Sequence, residues 1–384
     1  AARGALRTDR IVAAVALGVA RRMSSPARFA VVGTGWRADF FHRVAALIPE
    51  QLEITSVVAH RDESAARAEA RLRVPVRRGI DELIASDGAD VVIVSVATAA
   101  APAIVERLVD AGRRVLLETP PAPDAAGLVE LWSRVGESGL VQVAEQYLRY
   151  PGHVARAEAV RRGLIGRPTS VQVSSTHEYH AISMIRGLLG VGRASAEVRA
   201  QRFVAPLVDP VTRDGRTAAE HESPAGTVLA TLDFGAAMGL YDFTDNQWFN
   251  PLRHRRIVVR GTRGEIADDR IVRLADPRTV VESAIVRRQI GHDLDLEGYA
   301  TDHLSIDGEI VWRNAFPGTR MSDEDLAIAE MLVATGDWAR GAGPASYPLG
   351  DAVHDQALTL AIRAALESGA VERSLAGPWQ AWPS

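Results

Sequence analysis

The sequence predicts an α/β protein: a parallel sheet with helices on both faces first, then a second part on an antiparallel or mixed sheet. Three observations predict it. Short apolar strands alternate with helical stretches through about residue 145, the pattern of a parallel sheet covered on both faces. A glycine-rich turn, GTGWRA at Gly33–Ala38, falls at the first strand–helix junction. Further along, apolar residues recur in period two, as in strands with one solvated or partner-covered face.

The elements follow in order. Arg28–Val32 reads as a short buried strand, and a helical stretch runs from the glycine turn to about Leu47. Leu52–Ala59 is rich in β-branched residues and reads as the second strand; Glu63–Leu72 has helical spacing. Asp90–Ala97 is apolar on both faces, as strands inside parallel sheets are. Pro102–Ala111, Arg114–Leu117, Asp124–Gly139 and Val141–Ala144 continue as helix, strand, helix and strand. Val154–Arg162 is a helix closed by Gly163. Thr169–Ser175, Gly226–Phe234, Ala237–Phe243, Arg255–Arg260 and Glu265–Ala267 read as strands, and Asp323–Ala339 and Val353–Ser368 as two closing helices. No repeat or low-complexity tract interrupts the chain. It divides into an extension over 1–26, a first domain over 27–147 and a second over 148–384.

A chain of 384 residues fits two domains. The formal net charge of −4 gives no basic surplus, so neither nucleic acid nor an anionic membrane is an expected partner. The absence of cysteine excludes disulfides, thiolate catalysis and zinc–thiolate sites, and fits a cytoplasmic protein. All 44 basic residues are arginine; no ammonium side chain takes part in the chemistry. Ile11–Ala20 is apolar but far short of the ~20 residues that span a bilayer. Arg21 and Arg22 follow it where a signal peptide needs small residues, so it reads as a short helix or an upstream extension.

In Gly33-x-Gly35-x-x-Ala38, Gly33 permits a tight turn, Gly35 lets the backbone approach a pyrophosphate, and Ala38 lets helix and strand pack closely. The helix N-terminus then offers free N–H groups and a positive dipole end to phosphates. A plain tight turn is the alternative. The second strand ends in His60 and Arg61, near the position where an acid selects NAD. An arginine there pairs with a 2′-phosphate, which leans the reading to NADP; a solvated loop arginine is the alternative.

Several segments together resemble the glucose–fructose oxidoreductase / inositol dehydrogenase / rhizopine catabolism (Gfo/Idh/MocA) family. They are the glycine turn, RVLLETP (Arg114–Pro120) with the helix after it, Val141–Val173, RGTRGEI (Arg260–Ile266) and Tyr347–Gly369. The resemblance covers about Ala27 to Gly369. It implies a Rossmann domain followed by an α/β domain with a large, open, mostly antiparallel sheet, a nicotinamide cofactor, NAD(P), a sugar-like substrate and a homodimer or homotetramer. It implies a cofactor set of Gly33, Gly35, Trp36, Arg37, Ala38, His60, Arg61, Glu118, Thr119, Pro120 and Glu145. The family's strand ends Glu-Lys-Pro; here Thr119 takes the place of the lysine. The family's later Asp is here Thr176, its His is His180, and its further Asp is Ser183. The usual catalytic set thus keeps only His180.

A nicotinamide cofactor carries the hydride, and the protein supplies orientation and a group for the hydroxyl proton. Thr119 is no base near neutrality but can orient an oxygen. His180, just ahead of an apolar helix start, is the acid/base candidate, because a helix N-terminus favours the neutral imidazole. Tyr179 is a candidate proton relay, and Glu178 can orient the imidazole; Glu178 and His177 also read as substrate contacts or as an exposed strand end. His177 and His180 splay apart on a strand end and have no evident third ligand, so no metal is expected. In Tyr241–Arg256, Asp242, Asp245, Asn246, Gln247, Trp248, Phe249 and Arg253 mix polar groups with aromatic faces, as a sugar site does. Asp245, Gln247 and Trp248 are the substrate candidates there, an oligomer contact being the alternative. Arg186 is a candidate for an anionic substituent. The leading expectation is an NAD(P)-dependent oxidoreductase of a sugar or polyol hydroxyl. The alternatives are non-redox glycoside cleavage or elimination through transient oxidation, and a non-catalytic cofactor-binding sensor whose site has decayed.

Overall fold

The computed structural model describes residues 25–382 apart from 87, 213–214, 218, 249, 292–297 and 299. The N-terminal apolar run, most of the 1–26 extension and Phe249 therefore lie outside the described residues. The first sheet holds β1 (Ala27–Val32), β2 (Leu52–Val58), β3 (Val76–Arg77), β4 (Val91–Val94), β5 (Val115–Leu117) and β6 (Val141–Val143). Its order is β3-β2-β1-β4-β5-β6, and every pairing is parallel. Helices α1 (Trp36–Leu47), α2 (Asp62–Arg71), α3 (Ile80–Ala85), α4 (Ala101–Asp110) and α5 (Ala125–Val135) connect the strands. This is the doubly wound Rossmann order, whose ligand crevice lies past the strand ends where β1 gives way to β4.

The strands are apolar on both sides because both sides are covered. Phe29 and Val31 pack with Phe41 and Val44 of α1; Ala30 and Val32 pack with Val105 and Leu108 of α4 and Leu131 of α5.

After β6 come a 3₁₀ turn (Tyr147–Arg149), α6 (Pro151–Arg161), β7 (Pro168–Ser174), α7 (Glu178–Leu189), β8 (Glu197–Val208), β9 (Val211–Thr212), β10 (Gly215–Arg216), β11 (Glu222–Asp233) and β12 (Met238–Thr244). Then come β13 (Arg256–Gly261), β14 (Gly264–Ala267), β15 (Arg270–Leu274), β16 (Val280–Ile290), β17 (Ala300–Ile306), β18 (Glu309–Arg313), α8 (Asp323–Ala339), α9 (Leu349–Ser368) and β19 (Glu372–Arg373). Among the described residues the second sheet has the order β18-β17-β16-β15-β14-β13-β7-β12-β11-β8-β19. Its pairings are antiparallel except β7 with β12.

Two packing features position the site. The inner face of the second sheet buries Val171, Val173, Leu232 and Val259 against Ala181, Ile185 and Leu188 of α7, in one core with β1 and α1. Helix α8 returns to the first sheet and packs on α1, β1 and β4. Its start is fixed by a reciprocal cap between Ser322 and Asp325. Among the described residues, no helix is long and apolar enough to cross a membrane.

Candidate active site

A cleft of about 740 Å³ opens past the ends of β1, β2, β4 and β5. Gly33 and Gly35 form its floor for different reasons. Gly33 has φ +118°, and a Cβ there would stand 2.0 Å from the Ser95 carbonyl oxygen. Gly35 is extended (φ −76°, ψ 172°) and caps α1; a Cβ on it meets nothing within 4 Å. The turn is therefore tight on the protein side and open on the cleft side. Ala38, buried at 1 %, lets α1 lie close to the sheet. The volume suits an extended organic ligand, and the first-turn N–H groups of α1 suit an anion.

His60 and Arg61 line one end of the cleft with Ser64 and Arg78. Arg61 is exposed and makes no ion pair among the described residues. Arg78 donates to the His60 carbonyl at 3.2 Å and pairs with Asp62. Arg78 and Ser64 escaped the sequence reading, because no motif ties β3 to the end of β2.

The other end is formed by Ser95–Ala97, Glu118, Trp36 and Arg37. The Arg37 guanidinium is turned inward, between Glu118 at 3.3 Å and Glu324 of α8 at 3.2 Å. Trp36, Phe40 and Phe41 offer it ring faces at 5.5–5.8 Å. Burial alone lowers its pKa, but the two carboxylates outweigh burial and leave it raised. The other Glu118 oxygen accepts from the Thr119 N–H at 3.2 Å and the Thr119 hydroxyl at 3.3 Å.

His180 stands in the first turn of α7, 9 % exposed. Its Nδ1 lies 2.6 Å from Oε2 of Glu145. A carboxylate only accepts, so Nδ1 carries the hydrogen, and in the neutral imidazole the lone pair is then on Nε2. Oε1 of Glu145 accepts from the Tyr147 N–H at 2.9 Å, which locks the carboxylate. The Tyr147 ring stacks on the imidazole at 4.3 Å, and Tyr150 stacks on Tyr147 at 5.2 Å. Burial raises both phenol pKa values. Tyr147, Tyr150 and Glu324 are thus site neighbours that sequence reading did not single out. The signal was a glutamate followed by tyrosines at spacings of two and five, in EQYLRY.

His177 caps α7; its ring lies 5.3 Å from His180 and 5.1 Å from Trp248. Trp248 in turn stacks on Phe243 at 5.3 Å. The two dense segments of the sequence therefore meet here.

Other expected roles are corrected. The Glu178 carboxylate pairs with Arg363 of α9, not with the imidazole, so Glu145 is what orients His180. Tyr179 is buried in the core, where burial raises its phenol pKa, and its hydroxyl has no hydrogen-bond partner among the described residues to pass a proton along. Arg186 is enclosed by Asp351 and Asp355 and donates to the Gly192 carbonyl, leaving nothing for a substrate anion. Gln247 uses its amide within the loop: Nε2 donates to Ser174 and to the His254 carbonyl, and Oε1 accepts from the Thr244 N–H. Asp245 ties the strand end to the Gly226 N–H at 2.8 Å. Thr176 is fully buried, and its hydroxyl stands against the Tyr147 phenol, whose pKa it lowers in opposition to burial. Ser183 donates to the His180 carbonyl at 2.9 Å, inside the helix.

A parallel doubly wound sheet, a glycine turn shaped for phosphate and a cleft at the strand ends define a dinucleotide-binding domain. Residues 27–146 match the Gfo/Idh/MocA family model, described as "Oxidoreductase family, NAD-binding Rossmann fold". An uncharacterised oxidoreductase of Schizosaccharomyces pombe is 30% identical over 147 residues, 37% of this chain and 40% of its own length. The matched stretch thus spans about two fifths of that relative. Over nearly the whole chain the fold is similar to two solved structures. One is levoglucosan dehydrogenase in complex with NADH and levoglucosan, with a TM-score of 0.66 at 16% identity, covering 92% of this chain and 100% of that one. The other is the WlbA dehydrogenase of Bordetella pertussis with NADH and UDP-GlcNAcA, with a TM-score of 0.62 at 17% identity, covering 92% and 99%.

Proposed function

We propose that the chain is an NAD(P)-dependent oxidoreductase acting on a hydroxyl or keto group of a sugar, polyol or sugar derivative, with His180 as acid/base. The observation that carries this reading is the 2.6 Å contact between His180 Nδ1 and Glu145. It leaves Nε2 as a proton acceptor beside aromatic faces that suit a sugar's C–H side. Gly33, Gly35, Ala38 and the start of α1 hold the coenzyme's phosphates. The coenzyme, when bound, supplies the hydride acceptor or donor. Thr119 orients an oxygen through its bond to Glu118. Domain limits of 27–147 and 148–384 and a cytoplasmic setting belong to the same reading.

The test is a titration of NADPH and NADH fluorescence, then single-turnover absorbance at the nicotinamide band over a panel of polyols and sugars. Binding with turnover of one of them supports the reading. Binding with no chemistry across the panel leaves a sensor, and no binding removes the coenzyme.

NADP(H) is the expected coenzyme, because Arg61, which makes no ion pair among the described residues, and the neighbouring Arg78 suit a 2′-phosphate. Arg61→Ala is expected to weaken NADPH by ~10-fold or more, the scale of one charge-assisted contact, with little change for NADH. Tighter binding of NADH than NADPH by the unaltered protein overturns the preference.

A homodimer or homotetramer is part of the proposal. Phe203 and Val204 of β8, Met238 of β12 and Val280 and Val286 of β16 are exposed apolar residues on the second sheet. Sedimentation of the unaltered chain is expected to give an oligomer, and Phe203→Glu a smaller species. A monomer in both cases refutes it.

A further inference from the structure

Arg37 is a buried cation whose partners come from three parts of the chain: its own helix α1, the end of β5 and the start of α8. Counted at formal charge, one guanidinium stands against two carboxylates, a net charge of minus one. Arg37 and Glu118 line the coenzyme cleft directly. The cleft also has a direction. In a doubly wound fold the adenosine lies over the end of the second strand, here His60 and Arg61, and the pyrophosphate lies at the glycine turn. The remaining end, at Ser95–Ala97 and Glu118, is left for the nicotinamide half. That ring bears a positive charge when oxidised and none when reduced. The cluster cannot reorient cheaply: aromatic rings enclose the guanidinium on the α1 side, and the side chains of Arg37 and Glu118 are 10 % and 16 % exposed. Charges in such a site are poorly screened.

We propose that the Arg37–Glu118–Glu324 cluster sets the charge felt at the nicotinamide end of the cleft. Its net negative charge favours the oxidised coenzyme over the reduced one. The inference rests on the coenzyme reading above. It makes Arg37 and Glu324 positioning and charge-setting residues, distinct from any group that moves a proton.

The test needs no substrate. NADPH and NADH affinities are measured by fluorescence, and NADP⁺ and NAD⁺ affinities by competition, in the unaltered chain and in Glu324→Gln, Arg37→Gln and Arg37→Lys. Glu324→Gln removes one negative charge while keeping a hydrogen-bond acceptor for Arg37. It is expected to raise the ratio of oxidised to reduced dissociation constants on the order of 10-fold, the scale of one nearby charge in a partly buried site. Arg37→Gln is expected to lower the ratio, and Arg37→Lys to leave it near the starting value. An unchanged ratio in Glu324→Gln, even with both affinities weakened equally, overturns the proposal and leaves the cluster as packing. Should Arg37→Gln fail to fold, Glu324→Gln still decides, because Glu324 is 37 % exposed at the helix start. Failure of the coenzyme reading looks different: the unaltered chain binds neither form, and the inference falls with it.

Discussion

His180→Ala is expected to lower turnover by ~100-fold or more while leaving NADPH affinity unchanged, the usual scale for a lost acid/base. Affinity is spared because the imidazole is not among the residues that line the coenzyme cleft. Turnover is lost because the substitution removes the imidazole that Glu145 orients. Thr119 is an alcohol bonded to Glu118, and the buried Tyr147 and Tyr150 phenols have raised pKa values. Glu145→Gln separates orientation from proton transfer. A carboxylate accepts only from Nδ1–H, whereas an amide can either accept from it or donate to it. The tautomer that leaves Nε2 as acceptor is then no longer enforced, and turnover is expected to fall on the order of 10-fold or more with coenzyme binding intact. Equal turnover in His180→Ala and the unaltered enzyme removes the imidazole from the mechanism.

Most helices and strands of the first sheet were legible because each is short and bounded by Gly, Pro or charge; β3 and α3, of two and six residues, are too short to show a period and were not read. β4 carries four buried residues in a row, and α1 starts directly after its glycine turn. The second sheet was legible only in part. β8 escaped because its first half, Glu197–Arg202, is mostly polar and its apolar half, Phe203–Val208, carries Pro206. β16 escaped because most of its residues are exposed and its apolar residues do not alternate regularly. In the site, sequence proximity was a poor guide to partnership. Glu178 is two residues from His180 yet pairs with Arg363, whereas Glu145 is 35 residues away and makes the bond. The first turn of a helix fans its side chains outward in different directions, so Glu178, Tyr179 and His180 reach an ion pair, the core and Glu145 respectively. Arg37 and Glu324 are 287 residues apart and meet because α8 packs back on the first sheet; no local pattern announces such a contact.

Gly33→Ala and Gly35→Ala are expected to fail in opposite ways, and the contrast tests the phosphate turn itself. At Gly33 an added methyl lies 2.0 Å from the Ser95 carbonyl oxygen, on backbone with φ +118°. Neither the neighbouring strand end nor the left-handed backbone can yield without moving β1 or β4. The cost is on the order of a few kcal/mol, seen as a lower denaturation midpoint, with coenzyme binding lost because the turn is displaced. At Gly35 the methyl meets nothing, and the backbone is one that any residue adopts. Stability is expected to hold within ~0.5 kcal/mol. The methyl instead occupies the space before the first N–H groups of α1, where a pyrophosphate must come close, and NADPH affinity is expected to fall by ~10-fold or more. A Gly35→Ala chain that is stable and binds NADPH as the unaltered chain does places the phosphates elsewhere. The glycine turn is then only the tight corner that Gly33 requires.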